Sequence, residues 1–206
     1  MSKVLLSSMA ILALVAGLGA GGLVAQFTDI ETSSGNVFSA GEGQDLAVND
    51  ENPWVSTVFE VKDVWPGDSG RVTLKLTNVS SEPNSAGPLD LQILHLVDDP
   101  GITTEPEPKP DLGELSSNLL MLIWFDDNNN GIYEPPGEVK IVEDSLNNIG
   151  CKDNVTCKTY DLGILGSLQT RYLGIAWSVA RTAGNEIQGD RCVFDIQFHI
   201  AHITKP

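Results

Sequence analysis

Hydrophobic and polar positions alternate with a period of two along most of the chain beyond residue 36, and that period predicts β-strands. Arg71–Asn78 shows it most cleanly: Val72, Leu74 and Leu76 share one face, while Arg71, Thr73, Lys75 and Thr77 share the other. This is the pattern of a half-buried antiparallel strand. The same alternation marks Trp54–Val61 (Val55, Thr57, Phe59 and Val61 on one face), Leu89–Val97 and Glu138–Glu143. It returns in Thr170–Val179, where Leu173, Ile175, Trp177 and Val179 share a face, and in Arg191–Ile203. Leu119–Phe125 (LLMLIWF) is apolar throughout, hence a central strand or a short buried helix. Shorter apolar pieces lie in Val37–Val48 and Leu162–Leu168.

Turn chemistry separates these runs. WPGDSG (Trp65–Gly70) combines a proline that presets φ with a glycine that permits positive φ. NVSSEPNSAG and AGNEIQGD are further turn clusters, and residues 144–158 read as polar loop. Residues 98–113 form an acidic, proline-rich insertion that cannot pair as a central strand and is expected as an exposed loop. Eight or nine strands at a spacing of about ten residues, without an amphipathic helix, predict an all-β fold: an antiparallel β-sandwich of jelly-roll type.

The first 25 residues differ in kind. Lys3 precedes an apolar run from Val4 to Ala25 that ends in small residues, the pattern of a secretory signal peptide cut between Gly19 and Ala25. The alternative is a retained membrane anchor, since the run is long enough to span a bilayer. Once cut, residues 23–34 become a free N-terminal strand. Leu23, Ala25 and Phe27 on one side, or Val24 and Ile30 on the other, are its candidates for insertion into a neighbouring copy as a donor strand. The plainer reading makes it an edge strand of its own domain. Residues 35–206 are then the sandwich domain.

Charge narrows the function. The 206 residues carry 28 acidic and 12 basic side chains, a net charge of −16. That repels nucleic acid and favours divalent cations. In DDNNNGIYEPPGE, counting Asp126 as position 1 puts Asn128 and Asn130 at 3 and 5, Gly131 at 6 and Ile132 at 7. This is D-x-[DN]-x-[DN]-G spacing, in which oxygens converge on Ca²⁺. Glu134 sits at position 9, and Glu138 falls one place beyond the usual twelfth ligand. Calcium is the expected cofactor, as a structural brace; the alternative is an Asn-Gly hairpin turn with a solvated acidic rim.

Cys151 and Cys157 bracket a polar loop that a disulfide would close, leaving Cys192 a buried free thiol; pairing of Cys192 with either is the alternative. Asn78-Val-Ser80 and Asn154-Val-Thr156 are glycosylation sequons. His199 and His202 point to opposite faces of a strand and cannot readily share a metal, and there is no HExxH. No catalytic residue and no small-molecule substrate are expected.

Three blocks of the chain resemble the TasA/camelysin family: FTDIETSSGNVFSAG followed by DLAV, VKDVWPGDSGRVTLKLTN, and WSVARTAGNEIQGDRCVFDIQFHIAH. The resemblance implies a secreted jelly-roll protein that forms extracellular filaments. Bacterial members build biofilm-matrix fibres, and archaeal relatives form bundling pili and cannula-like tubes. Their subunits join by donor-strand complementation through the N-terminus. The cysteines, the proline-rich insertion and the Asn-rich loop depart from the bacterial pattern and make the archaeal branches the nearer comparison. The expected partners are therefore identical subunits in a head-to-tail homopolymer, with lateral bundling. A monomeric calcium-binding surface adhesion domain is the alternative, and a secreted camelysin-like peptidase the third reading.

Overall fold

The computed structural model describes residues 28–32, 44–81, 85–101, 112–153 and 155–201, the first of these as backbone alone. Among the described residues nine strands make two antiparallel sheets. They are β1 (Thr28–Thr32), β2 (Leu46–Val48), β3 (Ser69–Asn78), β4 (Gly87–Asp99), β5 (Leu119–Phe125), β6 (Lys140–Ser145), β7 (Tyr160–Leu165), β8 (Thr170–Val179) and β9 (Arg191–Ala201). One sheet has the order β1-β9-β4-β7, the other β2-β3-β8-β5-β6. Among the described residues helix is confined to the single turns α1 (Leu115–Asn118) and α2 (Leu146–Ile149) and a 3-10 turn at Asn185–Ile187. Among the described residues no helix is long and apolar enough to cross a membrane.

Alternation explains the two layers. Leu74 and Leu76 of β3, Ile123 of β5, and Leu173 and Ile175 of β8 face Leu89, Leu91 and Ile93 of β4, Leu162 of β7, and Ile196, Phe198 and Ile200 of β9 in one buried cluster. Each such side chain contributes roughly 1.5–3 kcal/mol, so the body does not depend on any one edge strand. The turn at Trp65–Asp68 forms as its residues require: Asp68 N–H donates to the Trp65 carbonyl at 2.9 Å, and Gly67 has a φ of 95°.

Two expectations fail here. Trp54–Val61 is not a strand. The Glu51 carboxylate accepts the N–H groups of Val55 and Ser56 at 3.2 and 3.1 Å, the donors a ladder would have used. Val55 and Val61 are exposed, whereas Trp54 is buried against Phe198 and Phe59 packs on Phe194. The segment packs on β9 through these two ring contacts. Residues 144–158 are not all loop either: Leu146 and Ile149, three apart, are buried by the turn of α2.

The outer face of the five-stranded sheet has a core of its own. Trp124 pairs across the ladder with Gly174 and is buried. A Cβ at Gly174 would lie 2.1 Å from two atoms of the indole, so the ring rests directly on backbone. Tyr133, from the β5–β6 connection, covers it at 5.9 Å between ring centroids.

The proline-rich insertion is tied at its base. Asp98, at the end of β4, accepts Ser116 N–H at 3.1 Å and Ser116 Oγ–H at 2.6 Å, and its Oδ2 meets Lys152 Nζ at 3.0 Å. Asp190 accepts the N–H groups of Glu114 and Leu115, fixing the start of α1.

Candidate functional site

The first candidate is the sheet edge that carries the N-terminal strand. β1 pairs antiparallel with β9 in the register Thr28↔Ala201 to Thr32↔Gln197, which puts Ile30 opposite His199. Within one copy, then, this segment sits on the last strand of its own chain. The donor candidates Leu23, Val24, Ala25 and Phe27 lie outside the described residues. The receiving edge, Gln197–Ala201, was not legible in the sequence, because register between the first and last strands is a tertiary fact.

The second candidate is the β5–β6 connection. Asp126 follows β5 and is fully buried. Its Oδ1 accepts Asn130 N–H at 3.0 Å, and its Oδ2 accepts Gly131 N–H at 2.9 Å and Thr73 Oγ–H at 2.9 Å. Thr73, on β3, was not foreseen as a holder of this carboxylate. The carbonyl oxygens of the Asn128 and Asn130 side chains accept Asn130 and Ile132 N–H at 3.0 and 2.7 Å. Their amide nitrogens donate to Glu134 Oε2 at 2.7 and 3.0 Å. Glu138 Oε2 accepts Glu134 N–H at 3.0 Å. Gly131 has a φ of 69°, the conformation its place in the spacing demands. Asp126, Asn128, Asn130, Ile132, Glu134 and Glu138 thus belong to one hydrogen-bonded loop. Among the described residues, the one group of three or more His, Cys, Asp or Glu whose ligand atoms all lie within 4.8 Å is elsewhere, at Cys151, Asp153 and Cys157. Two of those ligand atoms are the sulfurs of a disulfide.

That disulfide joins Cys151 and Cys157 and closes the polar loop. Cys151 also exchanges backbone hydrogen bonds with Ile93 and Leu96, which anchors the loop on β4 at its bulge. Cys192 is a free thiol, and burial pushes its pKa from 9.0 up to about 11. The unfolded thiol releases its proton near 9 while the folded one keeps it. This contribution to stability is therefore complete below pH 9 and lost as pH rises from 9 to 11. We expect a loss of about 2 kcal/mol across that window, absent in Cys192→Ser, read from denaturation midpoints of the two proteins.

The sequons part ways. Asn78 is fully buried and its amide donates to the carbonyls of Ser85 and Leu165 at 2.7 and 3.3 Å. The expectation of a glycan there is corrected: the nitrogen to be modified is occupied inside the fold. Asn154 lies outside the described residues, between exposed Asp153 and Val155.

The two described histidines each lie beside a carboxylate. His95, at positive φ in the β4 bulge, contacts Asp195 at 2.7 Å; His199 lies 4.0 Å from Asp90 on the opposite strand. Partial burial raises the Asp90 carboxyl above its usual range, while His199 opposes the rise. His202 lies outside the described residues.

A family model described as camelysin metallo-endopeptidase matches residues 1–111, more than half of the chain. The match spans the first two resembling blocks and stops before the acidic loop, the disulfide and the closing strand. A search of curated proteins finds no match.

Proposed function

The chain belongs to the camelysin family, and on that premise we propose that it is a structural subunit of extracellular filaments, joined head to tail by donor-strand complementation. The observation that carries this reading is the place of β1: the first described strand forms a sheet edge, paired with β9. Strand order supports the jelly-roll reading as well. With the short β2 set aside, β1-β9-β4-β7 and β3-β8-β5-β6 interleave as two Greek keys, with β1 as the first strand of the set.

A five-residue ladder needs main-chain groups and register, not covalent continuity, so another copy can supply it. Residues 33–43 set a reach of at most about 40 Å, comparable to the diameter of a domain of this size. A tail that long can serve its own β9 or a neighbour's. The self-paired form competes through its effective concentration, in the millimolar range for short tethers. Export and crowding at a surface tip the balance to exchange, and a contact that does not close on itself propagates as a filament.

The family name raises a second reading, a metallo-endopeptidase. We read the chain as non-catalytic because its sequence carries no HExxH pair; His95 and His199 lie beside Asp195 and Asp90. Azocasein cleavage that a chelator stops would favour the peptidase. Electron microscopy of cells expressing the chain with and without residues 28–32 tests the filament reading. Filaments from the full chain alone support it; filaments from both, or from neither, overturn it.

A further inference from the structure

We propose that the loop from Asp126 to Glu138 is a calcium site, with Glu138 as the ligand that closes it. The spacing of the loop and its internal turns would not alone justify this. The independent observation is Glu138 itself. The residue is 7% exposed, and its Oε1 is buried with no hydrogen-bond partner. The other oxygen of the same carboxylate accepts Glu134 N–H at 3.0 Å, which holds the group against the loop. A buried carboxylate oxygen with nothing to accept from is among the costliest groups a fold can carry. A cation is the ligand that would relieve it.

The surroundings fit a hard divalent ion. Asp126, Glu134 and Glu138 bring three carboxylates to one loop. Among the described residues none of them has a Lys, Arg or His within 4.0 Å. Each Asn side-chain oxygen accepts one hydrogen bond and retains a second lone pair, and Ile132 offers a backbone carbonyl. Carboxylates, amide oxygens and a backbone carbonyl are the donor set that Ca²⁺ takes in six- to eight-fold coordination. Mg²⁺, which requires a tight octahedron and holds its waters, is served less well. The three carboxylates are not yet clustered within 4.8 Å, so loading draws Glu134 away from the two amide nitrogens it now accepts from.

Position in the fold gives the site its purpose. The loop lies over Trp124, and Asp126 is fastened to Thr73 two strands away. Calcium there would clamp the outer face of the five-stranded sheet. This inference does not depend on the filament reading, because the loop lies outside both β1 and β9.

The test is calcium titration of the native protein after chelator treatment, followed by calorimetry and thermal melting, with Mg²⁺ at equal ionic strength as control. Tb³⁺ luminescence excited through Tyr133 and Trp124 gives a second readout. One ion per chain is expected, with Kd in the range of extracellular modules, about 10⁻⁴–10⁻³ M. Tm should rise by roughly 5–11 °C at a hundredfold excess over Kd. Glu138→Gln keeps shape and should weaken binding at least tenfold while melting close to the calcium-free wild type. Asp126→Ala should abolish binding and Glu134→Gln should weaken it; should Asp126→Ala fail to fold, Glu138→Gln and Glu134→Gln still decide. Equal stabilisation by Mg²⁺, no heat up to 10-fold above that Kd range, or unchanged binding in Glu138→Gln each overturns the proposal.

Discussion

Deleting Thr28–Thr32 will abolish filaments and leave a folded monomer. Five paired residues supply ladder bonds of about 1 kcal/mol net each, against about 1–2 kcal/mol per residue to order the backbone. The main chain of β1 thus contributes little net stability to its own sheet, which is what an exchangeable strand requires. The body keeps the β4–β9 ladder from Leu89↔Ile200 to Asp99↔Arg191 and the whole inter-sheet core. Sedimentation should show a monomer at concentrations where the full chain polymerises, and circular dichroism should retain the β signal. A peptide covering residues 23–34, added to the deletion variant, should bind one to one at the Gln197–Ala201 edge. Loss of the β signal on deletion would show instead that β1 is an ordinary structural strand.

Gly174→Ala will be the most destabilising single substitution on the outer face. The added methyl would meet Trp124 ring atoms at 2.1, 2.1 and 2.6 Å. Trp124 is 1% exposed and capped by Tyr133. Overpacking of this kind costs about 3 kcal/mol, or roughly 6–12 °C in Tm for a chain of this length. Gly70→Ala is the internal comparison. There a Cβ would meet Trp177 at 2.7–2.8 Å, but that ring is only partly buried and can shift. Its loss should be under half as large. Melting curves for the two variants that coincide would refute the packing described here.

Much of the sandwich was legible because alternation reports burial directly. Arg71–Asn78 and Thr170–Val179 face as their patterns dictate, and LLMLIWF is a central strand, β5. Alternation misled at Trp54–Val61, where a side chain outside the run, Glu51, takes the backbone donors. The turn of α2 was hidden because two apolar residues among polar ones carry too little periodicity to register.

In the acidic loop the spacing placed the oxygens in sequence, yet gave no hint that Glu138 is buried or that Trp124 lies beneath. Those facts depend on Gly174 and Thr73, which belong to other strands. The Asn78 sequon failed for the same reason: three local residues say nothing of whether a side chain faces the core. The disulfide pair could be proposed from six-residue separation alone, since a loop that short constrains itself.

Paired cysteines at the β1–β9 register put the exchange of strands to the most direct test. Ile30 and His199 lie directly opposite each other, and directly opposed residues bring their Cβ atoms to about 4.5–5.5 Å. Filaments of the Ile30→Cys, His199→Cys double variant, oxidised and run under denaturing conditions, should yield a ladder of covalent oligomers that each single variant lacks. A double variant that cross-links in full yet runs only as a monomer would mean that every chain keeps its own first strand.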